Sequence, residues 1–330
     1  MSLSTRSRLL IELLADVGQV NDAYEALFDA DEPTVRRVRR RRARGIRFPT
    51  AYAYKYMRYL RELIENQKRL LAAALETELL PAIERWERER RTDDAASAVR
   101  TDDIEEVVAA LERLKAIMLG ALDDAILEQE MYEYAHQIRA YCERQWKKTI
   151  KSITGIDPLI KNARLYDIVT AHVKEQVSLI KTIPQTYFGD IERVVLNGMR
   201  SGSMLKDIKK AIQEVYPVTW KRAGIIARDQ CGSFTAAVSD EHWHQAGLTT
   251  YIWRNMGDER VRGNPNGRYP RARPSHWDRE GQIYSIDEPP EDGHPGEAIL
   301  CRCFREVVEG EVLSVYGKQR TTRQQVRLAL

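Results

Sequence analysis

YIWRNMGDERVR, residues 251–262, and PSHWDREGQIYSIDEPPEDGHPGEAILCRCF, residues 274–304, decide how this chain is read. Thr250-Tyr-Ile-Trp-Arg254 alternates apolar and polar as a strand does, and Gln282–Ile286 and Cys301–Val308 repeat that period of two. No strand pattern of any length occurs before Thr249, where the apolar residues recur at three- and four-residue steps instead. The predicted fold class is therefore mainly α with a small α+β C-terminal domain, a long helical bundle followed by a helix and a short antiparallel sheet.

Working outward, residues 1–180 read as an N-terminal helical region, 185–310 as a second domain and 311–330 as a polar C-terminal tail. Leu60, Leu63, Ile64, Leu70, Leu71 and Leu75 form one helical stripe, which Pro81 is expected to break or kink. The polar tract 88–100 reads as a linker, and Thr101 or Asp102 as the cap of the next helix, with Glu105 placed for a capping box. A further helix ends near Gly155, and Asp157-Pro158 restarts the chain as helix. Ser203 is placed as an N-cap and Pro217 as the end of its helix. Trp220–Gln245 then reads as a separate long helix closed by Gly247 in the left-handed C-cap position.

The 330 residues are 43% hydrophobic and 31% charged with a net charge of +3, and mean hydropathy is −0.50. These values describe a soluble, charge-rich folded protein rather than a disordered one. No apolar run approaches the ~18 residues that would span a bilayer, so no membrane partner is expected. The short apolar N-terminal stretch is interrupted by Glu12 and Asp16 and reads as a helix, not a signal peptide. Four cysteines in a chain this long make no disulfide framework, and assembly in a reducing cytosol fits.

One segment carries unbalanced charge. Arg36, Arg37, Arg39, Arg40, Arg41, Arg42, Arg44 and Arg47 lie within twelve positions that hold no acid. Like charges at helical spacing oppose each other, so the tract calls for a phosphate or carboxylate partner, either DNA or an acidic protein surface.

Several residues bear chemistry. His276, His294, Cys301 and Cys303 combine two imidazoles with two thiols, a donor set that suits tetrahedral zinc. On a strand Cys301 and Cys303 would share a face. The alternative is two buried cysteines packing as small hydrophobes, with Arg302 facing solvent or an acid. His242 and His244 lie about 200° apart around a helix and cannot share an ion there. Asp258, Glu259, Arg260, Arg262 and Asp278 invite two readings, a salt-bridged loop or an enzyme acting on nucleic acid or NAD that pairs His276 with Asp258 or Asp278. The chain has no phosphate-binding Gly-rich loop, G-x-S-x-G or H-E-x-x-H, so no catalytic residue and no enzyme is expected. Trp243, Trp253 and Trp277 read as core anchors.

Taken in order, Trp253, Asp258-Glu-Arg260-Val-Arg262, His276, Gly281, Pro295-Gly296 and Cys301-Arg302-Cys303 resemble the signature of the Mu F-like minor head proteins of tailed phages, the head-morphogenesis family. The resemblance extends upstream through RSGSMLKDIKKAI and RAGIIARDQ, covering roughly Gln185 to Val308; an inserted loop, Gly263–Pro274, departs from it. It implies a minor capsid component of the virion near the portal vertex, assembled in the host cytoplasm. Such a component would bind the portal, with capsid or scaffold proteins and DNA as further partners, in head assembly and in DNA packaging or ejection. It also implies structural roles for Arg228, Trp253, Asp258, Arg260, Arg262 and Gly296, with Arg228 bridging to the strand cluster. Only 27 residues follow Cys303, so no appended enzyme domain is expected.

Overall fold

The computed structural model describes residues 3–28, 44–93 and 101–317. In chain order they form α1 (Thr5–Ala15), α2 (Val17–Phe28), α3 (Thr50–Ala74), a π-helical turn (Leu75–Leu79), α4 (Leu80–Asp93), α5 (Thr101–Gly120), α6 (Asp124–Thr154), α7 (Ala163–Arg200) and α8 (Leu205–Ala246). Strands β1 (Thr250–Arg254), β2 (Ile283–Ser285) and β3 (Phe304–Glu306) follow, and a last helix, α9, covers 309–317. Helices thus dominate, with one small antiparallel sheet at the C-terminal side, as the change of period predicts.

Packing divides the chain into two compact units. One holds Met1–Asn21, Met57–Gln129 and Glu175–Gly224, and the other Asp22–Tyr56, Glu130–Lys174 and Ile225–Leu330. These units interleave along the chain rather than following the segments 1–180, 185–310 and 311–330, because α2, α3, α6, α7 and α8 each contribute residues to both.

The first unit is all helical. Leu79, Ile83 and Trp86 pack with Val107, Leu111, Leu114 and Met118 of α5, Tyr187, Phe188, Ile191 and Val195 of α7, and Ile208 and Ile212 of α8. Two prolines, Pro81 and Pro217, behave differently from the sequence expectation, and a third, Pro184, is also accommodated within a helix. Pro81 does not break its helix. Proline gives no N–H and crowds the carbonyl four residues back, and the turn just before it widens so that the Leu80 N–H reaches the Leu75 carbonyl. Pro184 lies inside α7 and Pro217 inside α8. An interior proline costs ~3 kcal/mol. Around Pro184, burial of Ile180, Ile183, Tyr187, Phe188 and Ile191 offsets it at roughly 1.5–3 kcal/mol per side chain. Ser203 is not the cap of α8 either. The Met204 carbonyl receives the Ile208 N–H at 3.1 Å, and the Glu87 carboxylate takes the free Leu205 N–H at 3.3 Å. Likewise α7 starts at Ala163 rather than at Asp157-Pro158.

In the second unit α8 is buried at every residue from Ile225 to Gly232, as a helix in a protein interior must be. Trp146 of α6 stacks on His242 with ring centroids 5.7 Å apart and tilts against Trp243 at 4.8 Å, and His172 of α7 stacks on Phe234 at 4.1 Å. His242 is therefore a packing residue, whose burial pushes its pKa down to about 4, while His244 is exposed beside Asp240. Gly247, at φ 70°, ends α8 as expected.

The sheet order is β2-β1-β3, with Tyr251 opposite Tyr284 and Trp253 opposite Arg305. Of the tail expected over 311–330, the described residues up to 317 are helix, with Val312 and Tyr316 buried. Glu311 in the first turn of α9 accepts the Thr249 N–H at 2.6 Å and the Thr250 hydroxyl at 2.5 Å, tying α9 to the start of β1.

Gly45 bridges the outer edge of β3 at Glu306. A β-carbon there would lie 2.0 Å from the Arg305 carbonyl oxygen, a backbone atom that cannot swing aside. Gly45→Ala is expected to destabilise the protein by about 1–3 kcal/mol through overpacking, read as a lowered midpoint in thermal or urea unfolding. An unchanged midpoint would show that this edge pairing is not held in solution.

Candidate metal centre

The sheet and the C-terminal end of α8 frame a cluster of three polar side chains that are all buried. The Sγ atoms of Cys301 and Cys303 lie 3.4 and 3.5 Å from Nδ1 of His276, and all three atoms fall within 4.8 Å of one another. Residues 301–303 precede β3 instead of belonging to it. The thiols converge because of how their loop is held, not because strand pleating aligns them.

That loop is fixed from three directions. The Leu300 N–H donates to Asp229 Oδ1 of α8 at 2.7 Å, which holds Leu300 at φ 60°, a conformation side-chain-bearing residues seldom adopt. The Arg262 guanidinium donates to the Ile299 carbonyl at 2.6 Å, and Arg302 grips both oxygens of Asp258 at 2.7 Å each. Arg302 thus faces an acid, and Asp258 accepts the Arg260 N–H at 3.1 Å as well. Gly296 supplies a further constraint. Its N–H points at Cys301 Sγ at 3.4 Å, and at φ 91° an added β-carbon would lie 2.8 Å from Cβ of Ala236.

His276 is set by its other nitrogen. Nε2 lies 2.7 Å from Asp292 Oδ2, and the second oxygen of Asp292 takes Arg279 at 2.5 Å. The edge of the imidazole meets the Trp253 indole at 5.2 Å, with the Arg279 guanidinium 4.8 Å from the same indole. Burial would lower the His276 pKa, but bonding to Cys301 and Asp292 outweighs it and the net shift is upward. Asp292 moves down, burial being overcome by His276 and Arg279. Bonding from Cys303, and after it from His276 and the Gly296 N–H, holds the Cys301 thiol well below its ordinary value despite burial. Burial and the Cys301 neighbour push Cys303 well up.

Of the four sequence candidates for a metal, the structure brings together His276, Cys301 and Cys303. His294 stands apart with Nδ1 3.0 Å from the Tyr251 hydroxyl, and burial lowers its pKa. The carboxylate on His276 is neither Asp258, which Arg302 holds, nor Asp278, whose side chain is exposed. It is Asp292, which sequence reasoning missed. Its one signal was an acid before Gly293-His294-Pro295-Gly296, 16 residues beyond His276. The Arg228 guanidinium lies 5.4 Å from the Phe48 ring centroid, with burial lowering its pKa to about 10. The bond from α8 to the thiol loop comes from its neighbour Asp229. Trp243 and Trp253 are fully buried and Trp277 half-buried. Of the arginine tract, Arg36, Arg37, Arg39, Arg40, Arg41 and Arg42 lie outside the described residues. Arg44 pairs with Glu309 at 3.0 Å, and Arg47 lies 5.8 Å from the Phe304 ring centroid.

The motif residues quoted from the sequence therefore serve one purpose: Asp258, Arg262, Asp229 and Gly296 all act on the loop that carries the thiols. Comparison with known proteins reaches the same region. A Haemophilus influenzae protein, described only as uncharacterized, is 33% identical over 160 residues, which are 47% of this chain and 33% of that protein. The chain thus spans about a third of that relative's length. No solved structure matches it. Residues 189–305 match the family described as Phage Mu protein F like protein. This segment, with all of α8, β1, β2 and the thiol loop, belongs to the phage Mu protein F-like family.

Proposed function

We propose that the chain is a minor head protein of a tailed phage. In this reading it joins the head near the portal vertex and assists morphogenesis, DNA packaging or ejection by binding the portal, and it is not an enzyme. The observation that carries the reading is the family match over 189–305, together with the convergence of that segment's motif residues on one buried loop. Every polar group of that loop described above is engaged in holding it, which suits a scaffold better than a reaction site. The first test is co-expression with a portal protein from the same genome. A complex that survives gel filtration supports the proposal; a chain that elutes alone, with the portal ring intact, overturns it.

Residues 36–42 would supply the basic surface, since Arg44 and Arg47 already face Glu309 and Phe304. Replacing Arg39, Arg40, Arg41 and Arg42 with Gln should weaken duplex DNA binding and flatten its salt dependence by ~0.9 log–log units for each phosphate that is no longer neutralised. An unchanged slope, with portal binding abolished, assigns the tract to an acidic protein surface instead.

A further inference from the structure

We infer that His276 Nδ1, Cys301 Sγ and Cys303 Sγ form a three-ligand zinc site whose fourth position is filled from solvent, with Asp292 as the positioning residue for the histidine. The assignment stands on geometry and is independent of the phage reading; an open fourth position is the coordination of catalytic rather than closed structural zinc, so the site bears on the non-enzyme part of that reading. A tetrahedral zinc with bonds of about 2.3 Å to sulfur and about 2.05 Å to nitrogen separates S from N by roughly 3.6 Å. The observed separations of 3.4 and 3.5 Å already match that edge. Two thiolates and an imidazole are soft and borderline donors, which select zinc over magnesium or calcium.

The surroundings are built as a metal site needs. A ligating histidine commonly gives its far N–H to a carboxylate, which fixes the ring and its tautomer, and Nε2 of His276 stands 2.7 Å from Asp292. The Gly296 N–H directed at Cys301 Sγ would stabilise charge on that sulfur. Among the described residues no fourth His, Cys, Asp or Glu offers an atom to the group. A cavity of about 20 Å³ is lined in part by Cys301 and Cys303, with Thr235 and Ser239 also on its wall; that is room for about one water.

Two other accounts fit less well. Cysteines packed as apolar side chains need no imidazole between them, still less one tied to a carboxylate. A nucleophilic Cys–His pair needs access to substrate, and Cys301 is only 6% exposed and Cys303 9%. On zinc binding, the protons shared among His276 Nδ1, Cys301 and Cys303 leave to solvent, so that both sulfurs bind as thiolates. His276 donates its Nδ1 lone pair and keeps the proton on Nε2 for Asp292.

The test uses the full chain, expressed with zinc in the medium and then desalted. Metal analysis should find one zinc per chain, released by a chelator with a fall in melting temperature, since binding free energy at such a site is folding free energy. Cobalt exchanged for zinc should show tetrahedral ligand-field bands and a thiolate charge-transfer band. Both signals should persist in the Cys142→Ser, Cys231→Ser protein and vanish in Cys301→Ser, Cys303→Ser. Because that last variant could fail to fold, Asp292→Asn gives a second reading: a zinc affinity about 10–100-fold weaker, measured by competition with a chromophoric chelator. Substoichiometric zinc with no cobalt charge-transfer band and a chelator-insensitive melt would overturn the site. Full zinc with unchanged affinity in Asp292→Asn would overturn the role of Asp292.

Discussion

Asp190→Ala is expected to destabilise the protein by about 3–5 kcal/mol, the usual cost of removing one partner from a buried ion pair. Asp190 on α7 pairs with Arg222 on α8, where the two side chains are 14% and 4% exposed. The guanidinium also donates from Nε to the Leu14 carbonyl at 2.8 Å. Without the carboxylate, Arg222 would keep its charge with one neutral acceptor, at a position too enclosed for water to take over. The expectation is read as a lower midpoint in urea unfolding of the full chain. Asp190→Asn should fall between, retaining an acceptor but no charge. The double change Asp190→Ala, Arg222→Met should recover much of the loss, because the penalty belongs to the stranded charge more than to the missing attraction. Exposed pairs give the contrast. Lys209 with Glu76, at 48% and 65% exposure, should cost under ~1 kcal/mol when broken. A loss that small at Asp190 would mean that Arg222 finds water after all.

What was legible in the sequence follows from how local each signal is. The switch from helix to strand near Thr249 rests on a period that neighbouring residues share, and β1 and β2 fall where the alternation places them. Gly247 was legible because a left-handed C-cap is a property of one residue. The prolines misled for the complementary reason. Their penalty is local, but Leu79 and Ile83 beside Pro81 and Val215 beside Pro217 are buried in one cluster with residues of α5 and α7, so no window of sequence shows what outweighs it. Cys301 and Cys303 read as strand because Cys-Arg-Cys-Phe-Arg-Glu alternates, yet Arg302 is drawn to Asp258, 44 residues away, and Leu300 to Asp229, 71 away. The choice between His294 and Asp292 around His276 has the same character. These residues are two positions apart, and which of them faces the imidazole depends on how the Gly293 and Gly296 turns direct the chain, at φ 87° and 91°.

Trp253→Ala should cost about 3–5 kcal/mol, the range for deleting a large aromatic side chain from a core. Trp253 is fully buried on the central strand and meets the rings of Tyr284 at 5.8 Å and His276 at 5.2 Å. Two of the groups around the indole, His276 and Arg279, cannot collapse into the space. His276 is held at its far nitrogen by Asp292, and Arg279, which lies over the indole, is held by the same carboxylate. The void would therefore persist, which is the condition under which the cavity term adds fully to the lost transfer energy. Trp253→Phe should lose less, keeping an aromatic face for Arg279. Ile283→Ala on β2, at 62% exposure, should change stability by no more than ~0.5 kcal/mol. Because the indole backs the imidazole that meets both sulfurs, the damage should also be chemical. In metal-free protein under native conditions, Cys301 and Cys303 should react with a thiol reagent faster in Trp253→Ala than in the parent, while Cys142 in α6 stays protected. Equal acceleration at Cys142 would point to global unfolding, and no acceleration at the loop would show that the indole does not hold His276 in place.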